Sequence, residues 1–355
     1  MQLKTDIRSL SLIDIAAVLK EQGEASFRAK QVYEWLWQKS AVSFDDMTNL
    51  SKGLREKLER QFVINAVKID DMQVSRDRTI KCAMKLFDGN VVESVLIPTA
   101  SRMTACISSQ AGCSLTCKFC ATGRLNRIRN LNADEIYDQV VLVRNESLQK
   151  YQQPLTNIVY MGMGEPLLNY SGVLRSVDRI TSPDGLGMSP QRITVSTAGI
   201  AKMIKKLGDD EVKFNLALSL HAANDEKRNH IMPINESNTL DNLAEALNYF
   251  YDKTGTRVTF EYIVFKDFND SLQDAKELAD YCHRVPAKVN IIEYNPIDDS
   301  EFQQTTLERL KAFTDYLENK GIIVNVRRSR GKDIDAACGQ LANKNKTAKN
   351  SPPKK

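Results

Sequence analysis

Three cysteines crowd one short segment of this chain, where Ala111-Gly112-Cys113-Ser114-Leu115-Thr116-Cys117-Lys118-Phe119-Cys120 spells C-x3-C-x2-C. Thiolates are soft ligands for zinc, copper and iron–sulfur clusters, so metal binding is the first chemistry to consider. A structural zinc site wants a fourth Cys or His at matching spacing. The only histidines, His221, His230 and His283, lie far along the chain. Three thiolates suit a cubane [4Fe–4S] cluster, whose fourth iron is then open to a small molecule. Zinc and idle thiols stand as the competing readings. Seven cysteines in 355 residues is an odd number at modest density, which argues against a disulfide scaffold.

Cys106 falls in an apolar run, and Cys338 in the small-residue stretch Asp333-Ile334-Asp335-Ala336-Ala337-Cys338-Gly339-Gln340-Leu341. The bland reading of either is a buried, inert thiol. Lys118, Arg327, Arg328 and Arg330 offer another, since nearby cations lower thiol pKa and bind phosphate. Cys82 and Cys282 lack such support and read as structural. Glu93 is a sharper clue. In Val91-Val92-Glu93-Ser94-Val95-Leu96-Ile97, alternation sets it on the face of Val91, Val95 and Ile97. A carboxylate there is costly without a partner or a purpose, and desolvation would raise its pKa and suit it to act as a base.

These residues need elements to position them. Residues 1–60 read as a small helical domain, with Val32, Trp35 and Leu36 at i, i+3 and i+4 on one apolar face and Arg28, Lys30 and Lys39 around it. Nucleic-acid binding and a plain helical cap are equally compatible with that pattern. Residues 61–104 switch to period two, with strands expected at 63–70, 79–87 and 91–98 and a hairpin turn at Asp88-Gly89-Asn90. They read as a β-hairpin-rich linker or extension. From 105 to 341, strands near 104–109, 157–163, 192–198, 213–221, 258–265 and 288–294 alternate with helices, and a last strand spans 322–327. Regular alternation implies a parallel sheet. Six units are too few for a complete eight-unit barrel, so the expected fold is α/β, a partial (β/α)6 TIM-like barrel. Its chemistry should collect at strand ends. There stand the turn Gly162-Met163-Gly164-Glu165-Pro166, then Ser196, then Ser219-Leu220-His221, then Asn295. Polar groups are thus offered at successive strand ends, as hydrogen-bond partners for a bound nucleoside would be, although loop capping would account for each alone.

The net charge of +4 is too small to diagnose a nucleic-acid partner, but its placement is uneven. Residues 105–131 carry Lys118, Arg124, Arg127 and Arg129 and no acid, and Arg327, Arg328, Arg330 and Lys332 fall within six residues. Residues 342–355 hold five lysines and no apolar stripe, and are expected to be disordered. No apolar run approaches the roughly 18 residues of a membrane helix, and no such run follows Met1–Asp6 as in a secretory signal. The expected compartment is the cytoplasm, with no membrane partner.

The cysteine spacing, placed just after the first strand of the alternating region, resembles the radical S-adenosylmethionine (SAM) superfamily. That resemblance implies Cys113, Cys117 and Cys120 as ligands of a [4Fe–4S] cluster, and the turn at Gly164 and Glu165 as receiver of the SAM amino group. The stretches Cys106–Cys113, Met161-Gly162-Met163-Gly164-Glu165-Pro166-Leu167-Leu168-Asn169 and Asp333–Leu341 resemble the RlmN/Cfr family of radical SAM RNA adenosine methyltransferases, in order from about Phe27 to Leu341. Many members have glycine where this chain has Asn126.

The resemblance implies methylation of an adenine ring carbon using two SAM per turnover. Cys338 takes a methyl group from one SAM. A 5′-deoxyadenosyl radical from the second activates it, and the resulting carbon radical adds to adenine. Cys106 then attacks the Cys338 sulfur, releasing the RNA as a disulfide forms, and Glu93 matches the proton acceptor. RlmN-type chains methylate C2 of adenosine-2503 in 23S rRNA and adenosine-37 in some tRNAs, whereas Cfr-type chains methylate C8 of the rRNA base. Pro166, where Cfr-type chains have Ala, favours the RlmN type. An electron donor such as a flavodoxin-type reductant and a monomeric state are also expected. The alternative outside catalysis is an RNA-binding iron–sulfur protein with a structural cluster.

Overall fold

The computed structural model describes residues 4–344. Of the expected tail at 342–355, residues 345–355 lie outside the described residues. A short strand β1 (Thr5–Asp6) leads into three helices, α1 (Leu12–Glu21), α2 (Phe27–Trp37) and α3 (Lys52–Gln61), and β2 (Phe62–Val63) pairs back on β1 in parallel. The buried face of α2 is Ala29, Val32, Tyr33, Leu36 and Trp37. Trp35, expected on that face, is half-buried: its indole donates to Asn49 at 2.5 Å and its ring lies under the Lys39 ammonium. Arg8 holds this region to the body. Its buried guanidinium meets Asp6, Asp134 and Asp138 at 3.2, 3.2 and 2.8 Å.

The antiparallel strands β3 (Lys68–Val74), β4 (Ile80–Lys85) and β5 (Val91–Pro98) follow, with the expected turn at Gly89, where φ is +84°. β3 begins later than expected. The backbone N–H groups of Asn65 and Val67 are taken by the carboxylates of Asp6 and Asp138 instead of a strand ladder. Of the two readings, these strands are an extension. β5 pairs with β6 (Met103–Cys106), Val95 opposite Cys106, and so extends the main sheet.

From β6 the chain alternates. A two-residue ribbon, β7 (Gln110–Ala111) with β8 (Arg129–Asn130), closes the base of a long loop, and α4 (Ala133–Tyr151) follows. Then come β9 (Asn157–Tyr160), α5 (Tyr170–Thr181), β10 (Ile193–Thr197), α6 (Ala201–Asp209), β11 (Asn215–Ser219), α7 (Asp225–Ile231), α8 (Leu240–Thr254), β12 (Val258–Val264), α9 (Leu272–Arg284), β13 (Ala287–Glu293), α10 (Leu307–Asn319) and β14 (Val324–Arg327). One ten-stranded sheet results, in the order β14-β13-β12-β11-β10-β9-β6-β5-β4-β3. It is parallel from β6 to β14 and antiparallel from β6 to β3, so six βα units and a closing strand form an open barrel, as expected. Every residue of β12 is buried, as befits a parallel strand covered on both faces. The polar helix α7 carries no apolar period and was not anticipated. No helix among the described residues is long and apolar enough to cross a membrane.

Candidate active site

β6 ends at Cys106, and residues 112–128 then loop out between β7 and β8. The two arms of that loop touch where Gly112, at φ +75°, faces Asn126. A Cβ on Gly112 would lie 2.0 Å from the Asn126 carbonyl oxygen, so glycine is required there. The return arm is pinned by Arg129, which donates to Glu135 at 2.7 Å while Glu135 caps α4 by accepting from the Asn132 N–H at 2.9 Å.

Cys113, Cys117 and Cys120 line one cavity of about 210 Å³ over the strand ends. Burial raises the Cys117 and Cys120 thiols, and at Cys117 the neighbouring Cys120 and Cys113 raise it further. Among the described residues, no three Cys, His, Asp or Glu side chains are arranged to hold one metal ion. The donor set is thiol only and its members are spread along a loop, which fits a cluster whose irons each take one thiolate. His221 also lines the cavity, with a φ of +56°. Its Nδ1 accepts from the Ile263 N–H at 3.0 Å, and burial lowers its pKa to about 3. The neutral ring therefore carries its proton on Nε2.

Across the cavity, β9 leads into the glycine turn. Gly164 has φ +97°, and a Cβ there would meet Gln110 Cβ at 2.5 Å. Glu165 is buried, which raises its carboxyl pKa. Its Oε2 accepts from the Ala198 N–H at 2.8 Å and its Oε1 from the Leu167 N–H at 3.0 Å. The Thr197 hydroxyl adds a third hydrogen bond to this carboxylate, which has about four acceptor positions and so keeps room for a ligand ammonium. The hydroxyls of Ser196 and Ser219 lie 3.5 Å apart on the same lining. Leu220 and Asn295 stand behind it. The Leu220 N–H donates to the Glu261 backbone carbonyl at 3.0 Å, and Asn295 Nδ2 holds the Cys338 carbonyl at 3.2 Å. Asn295 Oδ1 is buried with no donor, an acceptor that a ligand hydroxyl or amino group would satisfy. If the turn receives SAM, as the resemblance implies, Gly164→Ala should cut SAM affinity at least about tenfold, because the turn must shift to clear Gln110 and leave its positive φ; equilibrium dialysis showing unchanged affinity would contradict this.

The segment after β14 crosses the mouth as a strap. The Gly331 N–H donates to Asp77 at 2.9 Å, and the Asp333 carboxylate accepts from Ser75 at 2.5 Å. Gly339 and Leu341 carbonyls accept from Ala121 N–H and Thr122 Oγ1 of the cysteine loop, at 2.7 and 2.6 Å. Cys338 thereby joins Cys106 on the cavity lining. Burial pushes the Cys106 thiol up to about 12, with Cys338 contributing. Burial also raises Cys338, against the lowering effect of Arg327. All seven cysteines are free, so no disulfide joins this pair.

Three expectations change. Residues 342–344 are not part of a disordered tail, because Glu93 Oε2 accepts the Ala342 and Asn343 N–H groups at 2.9 and 3.0 Å. Glu93 is fully buried as expected, but it has a counter-charge, Lys81 on the adjacent strand at 3.3 Å, and it does not line the cavity. Of the cations considered for the thiols, Lys118 instead meets Glu301 at 3.4 Å and His230 at 3.3 Å, while Arg327, Arg328 and Arg330 line the cavity. Glu93→Gln would leave the Lys81 ammonium buried without its counter-charge, at a cost of about 3–5 kcal/mol. Urea denaturation should show that loss, and a change below about 1 kcal/mol would exclude a structural pair. Glu261 was missed. It lies on the lining, accepts from Asn290 at 2.7 Å and orients Arg327 at 3.3 Å. Its signal was the one used for Glu93, a carboxylate inside an apolar strand, Val258–Val264.

Two family models match the chain: "Ribosomal RNA large subunit methyltransferase N-terminal domain" over residues 5–64 and "Radical SAM superfamily" over residues 107–282. The chain is 61% identical over 341 residues to the "Probable dual-specificity RNA methyltransferase RlmN" of Christiangramia forsetii, covering 96% of this chain and 97% of that one. The chain belongs to the RlmN family of radical SAM RNA methyltransferases. It is 45% identical to the "Dual-specificity RNA methyltransferase RlmN" of Nitratidesulfovibrio vulgaris, covering 95% and 94% of the two chains. The crystal structure of a radical SAM methyltransferase from Sphaerobacter thermophilus superposes with a TM-score of 0.90 at 37% identity, over 95% of this chain and 99% of that one. The RlmN family assignment implies a [4Fe–4S] cluster and SAM, and the thiol-only loop and the glycine turn fit both.

Proposed function

We propose that the protein methylates C2 of adenosine-2503 in 23S rRNA and of adenosine-37 in tRNA, with Cys338 as methyl carrier and Cys106 as resolving thiol. The observation that carries this reading is the strap, whose bonds to the cysteine loop bring Cys338 onto the cavity that Cys106 and the three loop cysteines also line. Cys113, Cys117 and Cys120 would hold the cluster. Gly164, Glu165, Ser196, Ser219, His221 and Asn295 would hold SAM, with Leu220 positioning the adjoining backbone. Bound there, the cofactors supply a methyl group from one SAM and a hydrogen-abstracting radical from a second.

The protein's own residues do the rest. Cys338 carries the one-carbon unit and becomes bonded through it to adenine. Cys106, as its thiolate, attacks the Cys338 sulfur; an S–S bond forms, the S–C bond breaks, and its electron pair stays on the carbon, which takes a proton from solvent to become the methyl group on the RNA. Glu93 would accept the adenine proton only after the strap releases its Oε2. Arg328 at the mouth suits RNA phosphates and the N-terminal helices would extend that grip, whereas Arg330 is already paired with Asp77 at 3.2 Å. A flavodoxin-type donor, a monomeric state and a cytoplasmic setting complete the reading. Nucleoside mass spectrometry of RNA modified by the pure protein should give 2-methyladenosine; 8-methyladenosine, or no methylated adenosine, would overturn it.

A further inference from the structure

Arg228, in α7, is fully buried behind the wall of the cavity. Its Nε donates to the Leu220 carbonyl at 3.1 Å, Nη1 to Asn235 Oδ1 at 2.6 Å, and Nη2 to the Ala198 and Ser219 carbonyls at 2.6 and 3.1 Å. All four acceptors are neutral oxygens. Among the described residues no carboxylate forms an ion pair with it. An acid joins the network only through Asn235, whose Nδ2 donates to Asp225 at 2.7 Å. Arg8, the other deeply buried arginine described above, has three carboxylates. A buried charge without a counter-charge is costly, so the missing anion calls for an explanation.

The cysteine loop supplies one. The Lys118 N–H donates to the Ile231 carbonyl at 3.0 Å, binding the loop to the end of α7. This sets Cys117 beside α7, where the groups acting electrostatically on Arg228 are the Tyr281 phenol, which is neutral at pH 7, then Cys117, then Asp225. Burial lowers the Arg228 pKa only to about 10, so the guanidinium stays charged at neutral pH. The carbonyls it holds belong to Ala198, Ser219 and Leu220, at the ends of β10 and β11.

We propose that Arg228 is the counter-charge of the iron–sulfur site, a positioning residue whose unpaired cation offsets the cluster thiolates and eases one-electron reduction. The proposal rests on the reading that Cys113, Cys117 and Cys120 hold a cluster. The electron comes from an external one-electron reductant, and the added negative charge is what the guanidinium stabilises.

The test is a potentiometric titration of the full-length protein, reconstituted anaerobically with iron and sulfide and followed by electron paramagnetic resonance. Arg228→Met should move the reduction equilibrium at least tenfold toward the oxidised cluster, which is 59 mV for a one-electron couple. Arg228→Lys, which keeps the charge, should stay within about threefold of the parent. Parental values in both variants, or equal shifts in both, would overturn the proposal. If Arg228→Met holds no cluster, Asp225→Asn decides. It keeps an acceptor for Asn235 while removing the acid, and should shift the equilibrium toward the reduced cluster; no shift, or the opposite shift, would overturn the proposal. A parent protein that takes up no iron and sulfide would sink the iron–sulfur reading itself, and this proposal with it.

Discussion

Replacing Cys338 with alanine is expected to reduce RNA methylation by at least about 10³-fold, the scale on which a covalent nucleophile is missed. The structure makes this a clean substitution. The strap is held by backbone groups and by other side chains: the Gly339 and Leu341 carbonyls on the cysteine loop, the Cys338 carbonyl on Asn295, and the Ala342 and Asn343 N–H groups on Glu93. None of these bonds needs the Cys338 sulfur. SAM binding and thermal stability should therefore stay close to those of the parent while transfer of labelled methyl from SAM to RNA is lost. Residual transfer within tenfold of the parent would remove Cys338 from the reaction.

Cys106→Ala is expected to stop the reaction one stage later, with protein and RNA joined through Cys338. Cys106 is buried in β6 opposite Val95, and trimming its sulfur leaves the strand ladder intact. A denaturing gel should show a slow band that disappears with ribonuclease, and free, normally methylated RNA would contradict the two-thiol scheme. The parent enzyme carries a pH signature of the same step. With its pKa pushed up to about 12, Cys106 is protonated at neutral pH. The attacking thiolate is then a small fraction that grows about tenfold per pH unit below that pKa. Single-turnover release of product should accelerate between pH 7 and pH 9, and a flat or falling profile would point to a different resolving group.

Most of the barrel was legible because its information is local. The apolar runs at Ile193–Thr197, Asn215–Ser219 and Val258–Val264 announce strands by composition, and the helices between them by period. The short polar α7 and the late start of β3 were illegible for the converse reason. The first has no apolar face to read, and the second is decided by the carboxylates of Asp6 and Asp138, both far from it in sequence. At the site the same division holds. The cysteine loop and the glycine turn are each one contiguous stretch, so spacing alone makes them readable. Glu93 reads as a buried carboxylate from alternation, yet its partner Lys81 lies across a strand pair, and the N–H groups it accepts belong to the far end of the chain.

The amino-acid order alone thus determined the donors: three thiols on one loop, a turn that only glycine can make, and two further cysteines in separate contexts. Their meeting was a tertiary decision. Cys106 reaches the cavity because β6 ends there, and Cys338 because the strap trades backbone hydrogen bonds with the cysteine loop and with Glu93. Counter-charges follow the same rule, with Lys81 assigned to Glu93, Glu261 to Arg327 and, among the described residues, no carboxylate ion pair to Arg228. Side-chain chemistry is written residue by residue, but desolvation and pairing depend on what folding brings alongside.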